Sequence, residues 1–169
     1  MLTQRTELDF KGQNIFVGID VHLKSWTVTI LTEELTHKTF TQPASADTLN
    51  NYLRRNFPGG TYNSVYEAGF CGFWTHYKLK AMGINNIVTN PADVPTSQKE
   101  KLQKDDPTDS RKLARSLRSN DLKAIYVPDP ATLEDRSLVR MRATLVKDMT
   151  RFKQRIKSFL YFYGINYPP

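Results

Sequence analysis

Apolar positions change their period several times along this chain, and each change marks an element. Asn14 to His22 carries Ile15, Phe16, Val17 and Ile19 in a nearly continuous apolar run, the pattern of a strand in a central, covered position. Ser25 to Leu31 alternates Trp26, Val28 and Ile30 against Ser25, Thr27 and Thr29, which predicts a half-buried strand. His37 to Thr41 is a third strand, and the short connections at 22–25 and 32–37 favour antiparallel hairpins. Ser45 then stands as the N-cap of a helix through Leu49, Tyr52, Leu53 and Phe57, stopped by Pro58-Gly59-Gly60.

Tyr62 to Glu67 reads as the next strand, Phe70 to Met82 as a helix closing at Gly83, and Asn85 to Thr89 as another short strand. Asn90-Pro91 and Pro95 mark a loop. Asp106-Pro107 opens a helix with Asp at N-cap, Pro at N1 and Asp109 at N3, its body formed by Leu113, Ala114 and Leu117. Lys123 to Val127 reads as a final short strand before Pro128-Asp129-Pro130. The order βββαβαβαβ predicts an α/β fold with a mixed sheet, antiparallel over its first three strands, and this is the order of the ribonuclease H fold.

From Thr132 to Tyr163 no breaker interrupts a helical pattern. Leu138, Met141, Leu145, Met149, Phe152, Ile156, Phe159 and Tyr163 recur in steps of three and four, an apolar seam along roughly 45–50 Å of helix that ends at Gly164. Such a seam asks for a coiled-coil or helical-hairpin partner, or for packing back on the sheet.

Charge changes the picture once it is located. Residues 1–98 carry 8 Lys+Arg and 8 Asp+Glu, whereas 99–169 carry 16 and 9, so the whole net charge of +7 lies in the second part. Between 136 and 157, Arg136, Arg140, Arg142, Lys147, Arg151, Lys153, Arg155 and Lys157 face one acid, Asp148. A balanced part joined to a strongly basic one points to a phosphate-backbone partner. The single cysteine, Cys71, has no internal disulfide partner, the N-terminus lacks a signal-type apolar core, and no stretch reaches about 18 apolar residues. The expectation is a cytoplasmic protein with no membrane partner.

Four acids in three segments carry the candidate chemistry. Asp20 ends an apolar strand, Glu67 ends another, and Asp106 and Asp109 sit at i, i+3 near a helix start. Carboxylates converging on one point repel unless a cation lies between them, and hard oxygen ligands suit Mg²⁺ or Mn²⁺. Each also has a plainer role: Asp20 can cap a turn, and Asp106 with Asp109 is good helix-start chemistry, with Asp105 a competing ligand should the start shift. His22 either assists Asp20 or is a surface histidine. Lys104 and Arg111 flank the acid pair and either hold a phosphate or are solvated. No phosphate-cradling glycine motif occurs, zinc-ligand spacing is absent, and Cys71 has no basic partner to activate it.

Gly18-Ile19-Asp20-Val21-His22, Glu67-Ala68, Asn90-Pro91-Ala92-Asp93-Val94 and Lys104-Asp105-Asp106-Pro107-Thr108-Asp109-Ser110-Arg111-Lys112-Leu113-Ala114, in that order, resemble the N-terminal domain of DEDD-type insertion-sequence transposases. That family includes the Piv-like DNA invertases and the bridge-RNA-guided recombinases. The resemblance implies a RuvC-like catalytic domain over 14–128 after a tail at 1–13, a long basic helix over 129–165, and a C-terminal end at 166–169. It implies a metal tetrad on Asp20, Glu67, Asp106 and Asp109, a DNA substrate, a guide RNA, and homo-oligomers through the long helix. The family's serine nucleophile belongs to a separate C-terminal domain, so the chain is expected to act as a catalytic fragment. Two departures stand out: Ser110 replaces the usual Ala, and Gly69-Phe70-Cys71-Gly72 replaces a turn of small residues.

The expected function is thus a metal-dependent DNA transposase or recombinase domain. Lys104, Arg111, Arg140, Arg142, Lys147, Arg151, Lys153, Arg155 and Lys157 are its candidate nucleic-acid contacts. The competing readings are a stand-alone RuvC-like nuclease that uses water, and a non-catalytic module for nucleic-acid binding and oligomerisation.

Overall fold

The computed structural model describes residues 9–95 and 106–166, with the backbone alone at Asp106. The chain forms two compact units, Met1–Val127 and Pro128–Pro169.

In the first unit, strands β1 (Asn14–Val21), β2 (Ser25–Leu31), β3 (Thr36–Pro43), β4 (Thr61–Glu67) and β5 (Asn85–Thr89) form one sheet in the order β3-β2-β1-β4-β5. β1–β2 and β2–β3 are antiparallel, β1–β4 and β4–β5 parallel. Helix α1 (Ala46–Asn56) connects β3 to β4 and α2 (Trp74–Ala81) connects β4 to β5. Three antiparallel strands followed by βα units make this a ribonuclease H-like sheet, with the apolar β1 run at its centre.

Strand parity sorts the two faces. Ile15, Val17 and Ile19 of β1, Trp26, Val28 and Ile30 of β2, and Tyr62 and Tyr66 of β4 point into one core, closed by Leu49, Leu53 and Phe57 from the α1 segment and Leu79 of α2. The opposite face carries Val65, which packs with Val94 and with Leu113 of helix α3 (Asp106–Arg118). Ser45 caps α1 as predicted, its hydroxyl accepting from the Thr48 N–H at 3.3 Å.

α3 lies close against β1. A Cβ at Gly18 would overlap the Ser110 carbonyl oxygen and stand 2.5 Å from the Ala114 nitrogen, so only glycine lets the helix backbone rest there. The seat is completed by the buried Ser110 hydroxyl, 2.9 Å from Thr29 Oγ1, which in turn lies 2.9 Å from Thr39 Oγ1.

Three expected boundaries move. The helix predicted from Phe70 begins at Trp74, because residues 69–72 form a turn in which the Gly72 N–H donates to the Gly69 carbonyl and Gly72 takes φ +58°. Lys123 to Val127 is not a strand: Ala124 makes a single bridge to Thr89, and the Ile125 N–H donates to the Val88 carbonyl. α3 already includes Asp106, so Asp106 is not its N-cap and Asp109 lies deeper than N3.

The second unit is one helix, α4 (Pro130–Phe162). It starts two residues before the predicted Thr132, with Asp129 as N-cap accepting from the Thr132 N–H at 2.9 Å and Pro130 in its first turn. It ends in a Schellman motif, the Ile165 N–H donating to Leu160 and the Gly164 N–H to Tyr161. Every residue of its apolar seam is exposed, from 51% at Met149 to 67% at Leu138.

Candidate active site

β1 and β4 run parallel side by side, and their register pairs Ile19 with Tyr66. The next residues, Asp20 and Glu67, therefore sit side by side at the ends of the two strands, about 4.8 Å apart in the sheet. Parity turns both toward the face that carries α3. On α3, Asp109 immediately precedes Ser110, the residue seated over Gly18. Three carboxylates from three elements thus line one cleft of about 210 Å³, together with His22, Phe70, Cys71 and Leu113.

The cleft's side-chain donors are the carboxylates of Asp20, Glu67 and Asp109, the His22 imidazole and the Cys71 thiol. Asp20 Oδ2 is held by His22 Nε2 at 3.1 Å, so this histidine touches the site. Among the described residues no three acidic, histidine or cysteine side chains close into a ready cation cage. The donor set nevertheless fits Mg²⁺ or Mn²⁺, which keep several waters and take one or two carboxylates plus substrate phosphate oxygens. The side chain of Asp106, and Lys104 and Asp105 altogether, lie outside the described residues. Arg111 is half-buried on α3 and does not line the cleft. Arg118, farther along α3, has a structural contact: its guanidinium donates to the Thr32 carbonyl at 3.3 Å.

Phe70 and Cys71 are cleft residues that the acidic pattern alone does not find. Their signal was the glycine-bracketed turn directly after Glu67. That turn is anchored by the Tyr66 hydroxyl, which donates to the Gly72 carbonyl at 3.0 Å and whose acidity is suppressed by burial. Burial likewise pushes the Cys71 thiol up, away from the nucleophilic thiolate, in keeping with a cysteine that does no chemistry. Phe70 is 71% exposed.

Residues 17–165 match the DEDD transposase family of IS110. This chain belongs to that family. It is 30% identical over 169 residues to the transposase y4rJ of Sinorhizobium fredii, covering 90% of this chain and 43% of that protein. It is 27% identical over 155 residues to the transposase for insertion sequence element IS1533 of Leptospira borgpetersenii, covering 88% of this chain and 44% of that protein. The chain thus spans less than half the length of these relatives. Among solved structures, Thermus thermophilus RuvC aligns over 66% of this chain and 99% of its own, at 11% identity and a TM-score of 0.47.

Within this IS110-family domain, the departure at Ser110 has a local explanation. Its hydroxyl reaches both Thr29 and the Pro107 carbonyl, in a buried place where an alanine would leave Thr29 to Thr39. The bulky Gly69–Gly72 turn forms a wall of the cleft.

Proposed function

We propose that this chain is the catalytic domain of a DNA transposase, in which Asp20, Glu67, Asp106 and Asp109 hold Mg²⁺ or Mn²⁺ against a scissile DNA phosphodiester. The observation that carries the reading is the convergence of Asp20, Glu67 and Asp109, from β1, β4 and α3, on one cleft. Rigid strand ends fix two of these carboxylates, and the contact with His22 orients the first. A bound cation would neutralise charge on the phosphate and stabilise the leaving oxygen. The protein's part is to hold carboxylate oxygens where the phosphate oxygens arrive.

Among the described residues no serine lines the cleft, and burial pushes the Cys71 thiol up, away from the reactive thiolate. The attacking oxygen is proposed to be the serine that the family resemblance assigns to a separate C-terminal domain. Lys104, Arg111 and the basic side chains of α4 would hold the nucleic-acid backbone, DNA and a guide RNA being the partners that the resemblance implies. The apolar seam of α4 would pair with a second copy of the chain.

Supercoiled plasmid incubated with this chain and Mg²⁺ tests the proposal. The expected result is DNA binding strengthened by Mg²⁺, without strand exchange, with the Mg²⁺ dependence lost in Asp20→Asn. Strand exchange by the chain alone would overturn the serine assignment. Mg²⁺-dependent nicking lost in Asp20→Asn would point to water as nucleophile, and nicking that survives Asp20→Asn would remove the cleft from the chemistry.

A further inference from the structure

Seven of the eight basic side chains of α4 are sorted by face, Lys157 falling between the two bands. At about 100° per residue, Leu138, Met141, Leu145, Met149, Phe152, Ile156 and Phe159 fall in one band roughly 80° wide. Arg136, Arg140, Lys147 and Arg151 fall in a second band, roughly 60° wide and on the far side of the helix. Gln154 and Ser158 extend that second band toward the C-terminus. The acids of the helix, Glu134, Asp135 and Asp148, all lie off it. Arg142, Lys153 and Arg155 instead flank the seam, and the Arg155 guanidinium sits 5.7 Å from the Phe152 ring centre, over a seam residue.

This partition is not what a solvated helix needs. A face chosen for solubility mixes both signs, whereas this one excludes acids along its length. A protein partner would call for aromatic or apolar anchors in the patch. The line from Arg136 to Arg151 offers four cations over about 22 Å, in two pairs each about 6 Å apart. Paired cations along one face, with hydrogen-bond donors beyond them, match a row of phosphates. Asp148 reaches toward Arg151 at 3.1 Å, but both side chains are well exposed, so a phosphate can take the acid's place at little cost.

We infer that Arg136, Arg140, Lys147 and Arg151 form a phosphate-binding stripe on α4, while Arg142, Lys153 and Arg155 serve the apolar seam. The inference rests on the nucleic-acid reading above and narrows it: one face of the helix carries the backbone contacts, leaving the seam free for a helical partner at the same time. Arg136 belongs to the contact set, and Arg142, Lys153 and Arg155 do not.

The test is fluorescence anisotropy of the whole chain with a duplex DNA and a duplex RNA of equal length, titrated between about 50 and 200 mM salt. One variant carries Arg136→Gln, Arg140→Gln, Lys147→Gln and Arg151→Gln; a second carries Arg142→Gln, Lys153→Gln and Arg155→Gln. Glutamine keeps helix propensity close to that of the residues it replaces, and circular dichroism checks that both variants stay helical. The stripe variant should flatten the log–log salt slope by about 3.6, so that the affinity lost across this salt range shrinks by about 150-fold; the flanking variant should keep the wild-type slope within about 1. Whichever duplex shows the larger stripe effect is the assigned source of the phosphates. Equal slope loss in both variants, or an unchanged slope in the stripe variant, would overturn the stripe. Failure of the wild type to bind either duplex would overturn the nucleic-acid reading itself.

Discussion

Replacing Gly18 by alanine would set a methyl carbon against the Ser110 carbonyl oxygen, 2.5 Å from the Ala114 nitrogen and 3.0 Å from the Ala114 Cβ. Real Cβ contacts essentially never fall below 3.0 Å, so α3 would have to rise by at least about 0.5 Å at Ala114 and further at Ser110. The clashing atoms are backbone on a helix and a central strand, and no flexible side chain can absorb the strain. Overpacking of this kind costs about 1–3 kcal/mol, and the upper end applies where backbone meets backbone. At a slope near 2 kcal/mol/M, the urea midpoint should fall by about 1.5 M. Asp109 precedes Ser110 and would move with it, so Mn²⁺ affinity should weaken in whatever fraction stays folded. A misplacement of about 1 Å at such a site can cost around a hundredfold in catalysis. A midpoint within about 0.3 M of wild type, with Mn²⁺ affinity unchanged, would refute the claim that this glycine seats the helix that completes the cleft.

Three further outcomes are expected. Ser110→Ala should cost no more than about 1 kcal/mol in urea unfolding, because Thr29 keeps its bond to Thr39; a loss above about 2 kcal/mol would mean the hydroxyl relay is misread. Burial, and secondarily Lys38, hold the His37 imidazole below its ordinary value. The folded state then binds that proton more weakly than the unfolded chain, so its stabilising effect is full above about pH 6.5 and declines as pH falls toward the lowered value. His37→Gln should flatten the dependence of the urea midpoint on pH over that window, and an undiminished slope would contradict the assignment. Phe70, an exposed ring at the cleft, should stack a base: Phe70→Ala should weaken single-stranded DNA binding by about 1–3 kcal/mol per stacked base while leaving the unfolding midpoint unchanged. Equal affinities in the two proteins would remove the ring from the binding surface.

Local patterns carried much of the fold. The continuous run Ile15–Ile19 announced a strand covered on both faces, and Ser45 and Gly164 marked helix ends by capping chemistry that depends on neighbours a few residues away. Where the sequence misled, a longer-range or backbone effect intervened. The apolar pattern from Phe70 onward suits a helix, yet the tight turn at 69–72, anchored by Tyr66, delays it to Trp74. Lys123 to Val127 has the composition of a strand, but it meets Thr89 at only one residue.

The site was half legible. Apolar strand patterns put Asp20 and Glu67 at the ends of two strands, and the parallel β1–β4 register sets them side by side. Spacing alone cannot bring Asp109 to them, since that depends on α3 crossing β1 at Gly18, a contact between residues about ninety positions apart. His22 illustrates the same limit: its i, i+2 relation to Asp20 suggested a shared face, and only the geometry supplies the 3.1 Å contact. The seam and stripe of α4, in contrast, are helical periodicity alone and could be read directly from the order of residues.

The central claim is a divalent-cation site built by Asp20, Glu67 and Asp109, and calorimetric titration of the folded chain with Mn²⁺ and Mg²⁺ tests it most directly. Wild type is compared with Asp20→Ala and Asp109→Ala, whose strand and helix positions lie in different elements of the cleft. The account predicts binding by wild type that is lost in both variants while their unfolding midpoints stay close to wild type. Binding that survives in either folded variant would contradict a single site shared by these carboxylates.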